Sequence, residues 1–258
     1  MYLETLKRIL TLVLFLMVST TVFAQIVNIE KKRIADDSTG WFGTANINFS
    51  GARSTKSYIA LSTNTLLEYK SKSTKDLWLF ITDLSIISAE QQKFSNSGFG
   101  HIRYNHKLGK SIRWELFTQL QYNALTKIQR RAIAGTGPRF KLTQYDDARF
   151  YLGVAYMFEY EEDAEVFLVH RDSRLSSYFT FTLSPEETVS FVSTTYAQPL
   201  LADWKDYRIS NETTLSLDIS KKLTFNATLK YAFDSRPPDG VPHNIYSFSN
   251  GLEISFGR

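Results

Sequence analysis

Apolar and polar residues alternate with a period of two through most of this chain, over stretches far longer than a globular strand needs. From Ile112 one set of alternate positions reads Ile112, Trp114, Leu116, Thr118, Leu120, Tyr122. The intervening set reads Arg113, Glu115, Phe117, Gln119, Gln121, Asn123. Successive side chains of a strand point to opposite faces, so the pattern makes a ribbon with one apolar face and one mostly polar face. The same division recurs from Phe150 to Tyr160, Tyr207 to Ile219, Leu223 to Phe233 and Tyr246 to Phe256. Nothing past residue 24 carries a sustained apolar stripe at helical spacing. The chain reads as all-β.

Twelve candidate strands lie near 40–51, 57–69, 76–87, 97–108, 111–123, 131–142, 148–160, 173–183, 188–198, 206–220, 222–233 and 245–256. Most reach the roughly nine to eleven residues that a tilted strand needs to cross a bilayer. Ordinary globular strands are shorter, with a mode of about five or six. Tight turns are expected at 108–111, 144–147, 184–187 and 220–222, with a slightly longer one at 70–75. Wider connections are expected at 88–96, 124–130, 161–172, 199–205 and 234–244, and only the first hairpin loop, 52–56, is short on that side. Short turns at one end and long loops at the other are the mark of a transmembrane, antiparallel, up-and-down β-barrel of the outer membrane. An even strand number returns both chain ends to the periplasmic side.

Composition sharpens the point. The 258 residues hold 19 Phe, 14 Tyr and 4 Trp, yet mean hydropathy is −0.22. That average leaves no room for several fully apolar helices, and the absence of cysteine removes disulfide staples and thiolate metal sites. Abundant rings and few prolines also exclude low-complexity disorder. The rings gather at strand ends: Trp41, Tyr69, Trp78, Phe150, Phe225 and Phe256 near the short turns, and Phe49, Tyr122, Tyr160, Tyr207, Phe233 and Tyr246 near the long loops. Membrane barrels place aromatic girdles at both interfaces. A soluble sandwich or lipocalin-like barrel would alternate identically but has no reason to collect rings at strand tips.

The first residues read as an export signal. Lys7 and Arg8 precede an apolar run from Ile9 to Val18, and Val22 and Ala24 occupy the small-residue positions of a cleavage site. The run is too short to span a bilayer comfortably. Cleavage is expected after Ala24, leaving a periplasmic segment at 25–38 and a barrel from 39 to 258. That organisation places the protein in the outer membrane of a Gram-negative bacterium, among outer-membrane lipids, with the barrel-assembly machinery as its partner during biogenesis.

With the apolar set facing lipid, the other set lines the interior. Lumen candidates are His101, Arg103, Arg113, Glu115, Arg139, Arg174, Glu212, Asp218, Lys230 and Glu253, accompanied by Arg208, Glu68, Asp83 and Glu159. The signs are mixed. A lumen of one sign argues for ion selectivity, whereas a balanced one argues first for internal ion pairs. The facing of the third strand is ambiguous, since Leu77, Leu79 and Ile81 share parity with Asp83, and Trp78 and Phe80 with Thr82.

Other constellations are weaker. His170, Asp172 and Ser173 put a histidine, an acid and a serine in one outer segment, without the spacing that barrel lipases use. The acidic run Glu159, Glu161, Glu162, Asp163, Glu165 could offer carboxylates to a divalent cation, though a solvated loop is the plainer reading. The four histidines are scattered, and Gly98, Gly100, Gly135 and Gly137 lie within strands, where they permit bending or close packing rather than phosphate binding. Basic residues are dispersed, so nucleic acid is not an expected partner. No cofactor is expected either.

Strings such as Phe117–Asn123, Tyr151–Glu162, Arg174–Tyr178, Thr194–Pro199 and Asp234–Pro238 resemble the outer-membrane proteins of the domain of unknown function 481 family. The resemblance spans about Gly40 to Phe256 and fits a Bacteroidetes-type member. It implies a β-barrel, in a family one of whose names comes from a salt-induced member, and it brings no catalytic residues. One departure is that Gly257 and Arg258 follow Phe256, where such barrels usually end on the aromatic residue. The first functional reading is a structural, envelope-stress component without catalysis. The alternative is a narrow diffusion channel for small solutes or ions, and a lipid hydrolase comes third.

Overall fold

The computed structural model describes residues 39–53, 57–89, 92–145, 147–164 and 168–256. The expected leader at 1–24, the segment at 25–38 and the two residues after Phe256 lie outside them. Twelve strands form: β1 (Gly40–Arg53), β2 (Ser57–Lys70), β3 (Asp76–Ala89), β4 (Gln92–Lys107), β5 (Ile112–Asn123), β6 (Ile128–Gln144), β7 (Ala148–Asp163), β8 (Val169–Glu186), β9 (Val189–Pro199), β10 (Tyr207–Ser220), β11 (Leu223–Asp234) and β12 (Asn244–Phe256). Each pairs antiparallel with its neighbours in sequence, and β1 meets β12 to close the barrel. Closure leaves no open edge, the condition for crossing hydrocarbon with strands. The closing seam is short, joining Gly43–Ala45 to Ile254–Phe256.

All twelve strands stand where the alternation places them, but several run further outward. The expected connections at 88–96 and 161–172 are mostly ladder and that at 124–130 shortens to 124–127, because β4 begins at Gln92, β6 at Ile128, β8 at Val169, and β7 continues to Asp163. These extensions are mostly polar, with Phe94, Ile128 and Val169 too few to alternate. Alternation requires one apolar side, so it stops reporting strand where both sides meet water, although backbone pairing continues. The loops that remain wide are 200–206 and 235–243.

The outer surface carries the apolar set. Leu116, Leu120, Leu215, Leu217, Leu229, Leu252 and Ile254 are all exposed, a band that water would not tolerate and lipid favours. Rings border it. At the short-turn end Trp41 lies 4.9 Å from Tyr69 and Trp78 4.6 Å from Tyr104, while Phe181 stands 5.8 Å from Phe191. At the other end Tyr207 and Phe233 are 5.5 Å apart. Parity on β3 is resolved: Leu77, Leu79 and Ile81 point inward, buried with Leu66 and Phe99, while Trp78, Leu84 and Ile86 face outward. Five apolar side chains from β2–β4 thus fill part of the lumen near the short turns.

Three rings lie over glycines on the next strand. Phe117 pairs with Gly135, Tyr122 with Gly98 and Tyr178 with Gly153. A Cβ on Gly153 would sit 2.1 Å from the Tyr178 ring, and one on Gly135 would sit 2.3 Å from Phe117. Covering a bare glycine backbone with an aromatic neighbour restores the contact that glycine lacks. Gly137 is as tight against backbone, since its Cβ would stand 2.1 Å from the Val154 carbonyl oxygen. Next to it Pro138 occupies the gap between Thr136 and Arg139 in the β6–β7 ladder, where no N–H is needed.

Candidate functional site

Inward parity brings charged residues from distant strands into two layers. In the lower one, Arg103 on β4 gives Nη1–H to Glu115 Oε2 on β5 at 2.8 Å. The same oxygen accepts the hydroxyl of Tyr178 from β8 at 2.7 Å, a bond that crosses the lumen. Arg139 lies 3.9 Å from Glu115 and 3.7 Å above the Tyr151 ring, and Arg103 stands over Phe117. His101 accepts from Arg103 and meets Gln119 at 3.2 Å. Glu115, Arg103 and Arg139 are all nearly inaccessible to water, so each needs the partners it has.

The upper layer is built on Glu159 of β7, fully buried. Arg131 from β6 bonds its Oε1, Arg174 from β8 gives Nε–H to Oε2 at 2.9 Å, and Arg208 from β10 gives Nη1–H to Oε1 at 2.5 Å. Arg208 also holds Glu161 at 3.2 Å and Asp234 at 2.7 Å. Arg174 reaches Asp206 at 2.9 Å and Asp172 at 3.4 Å. Positive and negative groups are therefore matched within the wall.

Two chambers accompany these layers. The outer one runs from His101 and Arg103 past Gln121, Tyr196 and Gln198 to Pro238 and Pro242 of the 235–243 loop. The second is lined by Asn46, Asn64, Asp83, Glu212, Lys230 and Glu253, among others. They adjoin along β10 and β11, where Ser210 and Ala232 line the first while Glu212 and Lys230, 3.5 Å apart, line the second. Its carboxylates take amide donors: Asn64 gives to Asp83 at 3.3 Å and Asn226 to Glu253 at 3.4 Å. Thr214 and Thr228 share a hydroxyl bond of 2.9 Å on the same wall.

The 235–243 loop roofs the outer chamber. It leaves β11 and ends at β12, yet Lys127 of the connection between β5 and β6 donates to the Asp239 carbonyl at 2.6 Å. Those connections stand on opposite sides of a twelve-strand ring, so the loop straps the mouth. Gly240, at φ 78°, supplies the left-handed turn beside that anchor. A second anchor joins Arg236 to Asp203 in the 200–206 loop at 2.6 Å. The backbone N–H of Lys205, with that guanidinium, holds the Asp203 carboxyl below its ordinary range.

Among the sequence candidates, His101, Arg103, Glu115, Arg139, Arg174 and Glu212 are buried, and Lys230 and Glu253 line the second chamber. Arg113 is half-buried near the short-turn end. Asp218 is exposed there and takes the Thr224 hydroxyl at 2.5 Å. Arg131, Glu161 and Asp234 join the outer network without having been singled out as lumen groups. Extending the parity of β6, β7 and β11 outward would have found them. The segment at His170 assembles no triad: the Ser173 hydroxyl meets Tyr156 at 2.7 Å while Asp172 turns to Arg174. Of the acidic run, Glu159 and Glu161 take guanidinium partners, Glu165 lies outside the described residues, and no metal-binding cluster occurs among those described.

A closed barrel of twelve antiparallel strands, with an apolar outer band, aromatic girdles and a polar interior, defines an outer-membrane β-barrel. The porin NanC shares this fold at 13% identity and a TM-score of 0.51, over 84% of this chain and 100% of that one. The porin KdgM matches at 12% identity and 0.44, over 84% and 99%. An anion-selective porin from Comamonas acidovorans matches at 9% and 0.39, over 85% and 99%. No curated protein matches the sequence significantly. The chain belongs to the family described as protein of unknown function, DUF481, which matches residues 37–256.

Proposed function

We propose that this barrel is a narrow diffusion channel for small polar solutes. The observation that carries the reading is the adjoining of two polar chambers along β10 and β11, one beneath the outer loops and one extending to Glu253 and Thr44 near the short turns. Apolar side chains of β2–β4, Leu66, Leu77, Leu79, Ile81 and Phe99, fill part of the lumen beside the second chamber, so the open path occupies only part of the cross-section there. A porin of the same fold, NanC, is consistent with this use of the architecture.

The structural, envelope-stress reading is favoured by a different observation. Arg208 to Glu159 and Tyr178 to Glu115 are bonds across the lumen, and they brace the wall as a filled barrel would. Conductance separates the two. Purified full-length protein in planar bilayers is expected to give small, steady unitary steps. Silence in bilayers that pass current through a known porin would overturn the channel reading and leave the bracing role.

A further inference from the structure

The charges around the outer chamber are already consumed by one another. Arg103 is held by Glu115, Arg131 by Glu159, and Arg208 by Glu159, Glu161 and Asp234. A charged ligand settling here would displace a partner and leave a buried group without its counter-charge. The wall therefore selects against net charge, whichever its sign.

What remains unsatisfied is neutral. Gln121 on β5 is only 7% exposed. Its Oε1 accepts from Gln119 at 2.6 Å, while its amide N–H groups have no partner among the described residues. It lines the chamber. Gln198 on β9, lining it too, donates to Ser176 at 3.2 Å and to the Met157 sulfur at 3.8 Å, and its side-chain carbonyl oxygen takes no donor among the described residues. One free amide donor and one free amide acceptor suit a hydroxyl group, which both accepts and donates. Their cross-strand neighbours Arg131 and Arg208 are held by the carboxylates named above, while Ile133 and Tyr196 add buried apolar surface to the same lining and Pro238 and Pro242 close the roof. Such surfaces pack against the C–H face of a saturated ring without requiring a counter-ion.

We propose that the outer chamber is a binding site for a small, neutral, polyhydroxylated solute, of the chemical class of a simple sugar. The inference rests on the channel reading for access to the chamber only, because occupancy does not require passage.

The test is calorimetric titration of the full-length barrel, folded in detergent, with glucose, glucuronate and glucosamine, three rings differing in charge. Glucose is expected to bind, and both charged rings about tenfold more weakly. Gln121→Leu is expected to abolish glucose binding while the unboiled protein keeps its fast-migrating gel band; should that variant not fold, Gln198→Leu is measured instead. Glu161→Gln, which removes one partner of Arg208, is expected to raise glucuronate affinity towards that of glucose. Equal or tighter binding of either charged ring to the unaltered barrel overturns the proposal. So does a lack of binding heat from all three, or a folded Gln121→Leu or Gln198→Leu variant that binds glucose normally. A barrel that binds glucose yet never conducts sinks only the channel reading, and one that conducts but binds nothing sinks only this site.

Discussion

Arg208 of β10 crosses the lumen to Glu159 of β7, placing Nη1 2.5 Å from Oε1. Glu159 also accepts from Arg131 and Arg174, so one carboxylate serves three guanidinium groups. The arrangement is asymmetric. Removing Arg208 leaves Glu159 with two partners, but removing Glu159 leaves Arg131 with Glu161, Arg208 with Glu161 and Asp234, and Arg174 with Asp172 and Asp206. Glu159→Gln is expected to cost well under the roughly 3–5 kcal/mol of a buried pair broken to leave an uncompensated charge, because every guanidinium keeps another carboxylate. Arg208→Gln, which takes its guanidinium from Asp234 and one partner each from Glu159 and Glu161, should cost distinctly more. Urea unfolding of the two variants in the same detergent checks the order, and equal losses would contradict it.

Gly137 offers a test of the close approach between β6 and β7. A methyl group there would press on the Val154 carbonyl oxygen and the Ala155 Cα, both backbone, so the strands themselves must part. Gly137→Ala is expected to cost about 1–3 kcal/mol, the usual penalty for overpacking. Gly100→Ala, where a Cβ meets nothing within 4 Å, is the matched control and should be nearly neutral. The same urea titration reads both.

Much of this was legible from alternation alone, and the limits have physical causes. Twelve strands and their order follow from period two, because each strand in the bilayer has one side in lipid. The outward ends of β4, β6, β7 and β8 did not, because there both sides meet water and pairing leaves no apolar trace. Glu161 lies in such an end, and Arg131 opens the expected sixth strand at 131–142 without having been singled out, so the full network around Glu159 was hidden although Glu159, Arg174 and Arg208 were visible as lumen candidates. Parity assigned side chains to a face but could not say which meet across the lumen. That Tyr178 reaches Glu115, 63 residues away, depends on barrel diameter and stagger. The strap over the mouth lay beyond reach as well, since Lys127 and Asp239 share no pattern and meet only because their loops face each other.

The lipid-facing assignment predicts a sharp difference between faces of one strand. Leu229 is 46% exposed at the middle of β11 and points outward, whereas its neighbour Thr228 is buried in the lumen wall. Leu229→Arg is expected to cost about 2–4 kcal/mol in lipid, the penalty for arginine at the bilayer midplane. The cost should largely disappear near the interface, so Tyr246→Arg, at the outer end of β12, is expected to lose about 1 kcal/mol or less. Unfolding in liposomes measures both, and an equal cost at the two positions would refute a bilayer-spanning orientation.

The strap gives the channel reading a pH dependence of definite sign. Asp203 accepts from the Lys205 backbone N–H and from Arg236, and both contacts hold its carboxyl below the ordinary aspartate value of 3.8. A depressed carboxylate contributes its tethering fully above that ordinary value and loses it as pH falls through the lower, folded one. The contact is therefore intact at neutral and mildly acidic pH and is lost in acid. Conductance noise in planar bilayers is therefore expected to stay flat from neutral pH down to the ordinary aspartate value of 3.8 and to rise only below it, as the 235–243 loop loses one anchor. Arg236→Gln should show the low-pH noise already at pH 7. Lys127→Met, which removes the opposite anchor at the Asp239 carbonyl, should raise mean conductance at every pH. A strap that governs access responds to both variants. Unchanged current in each would show that solutes bypass the loop.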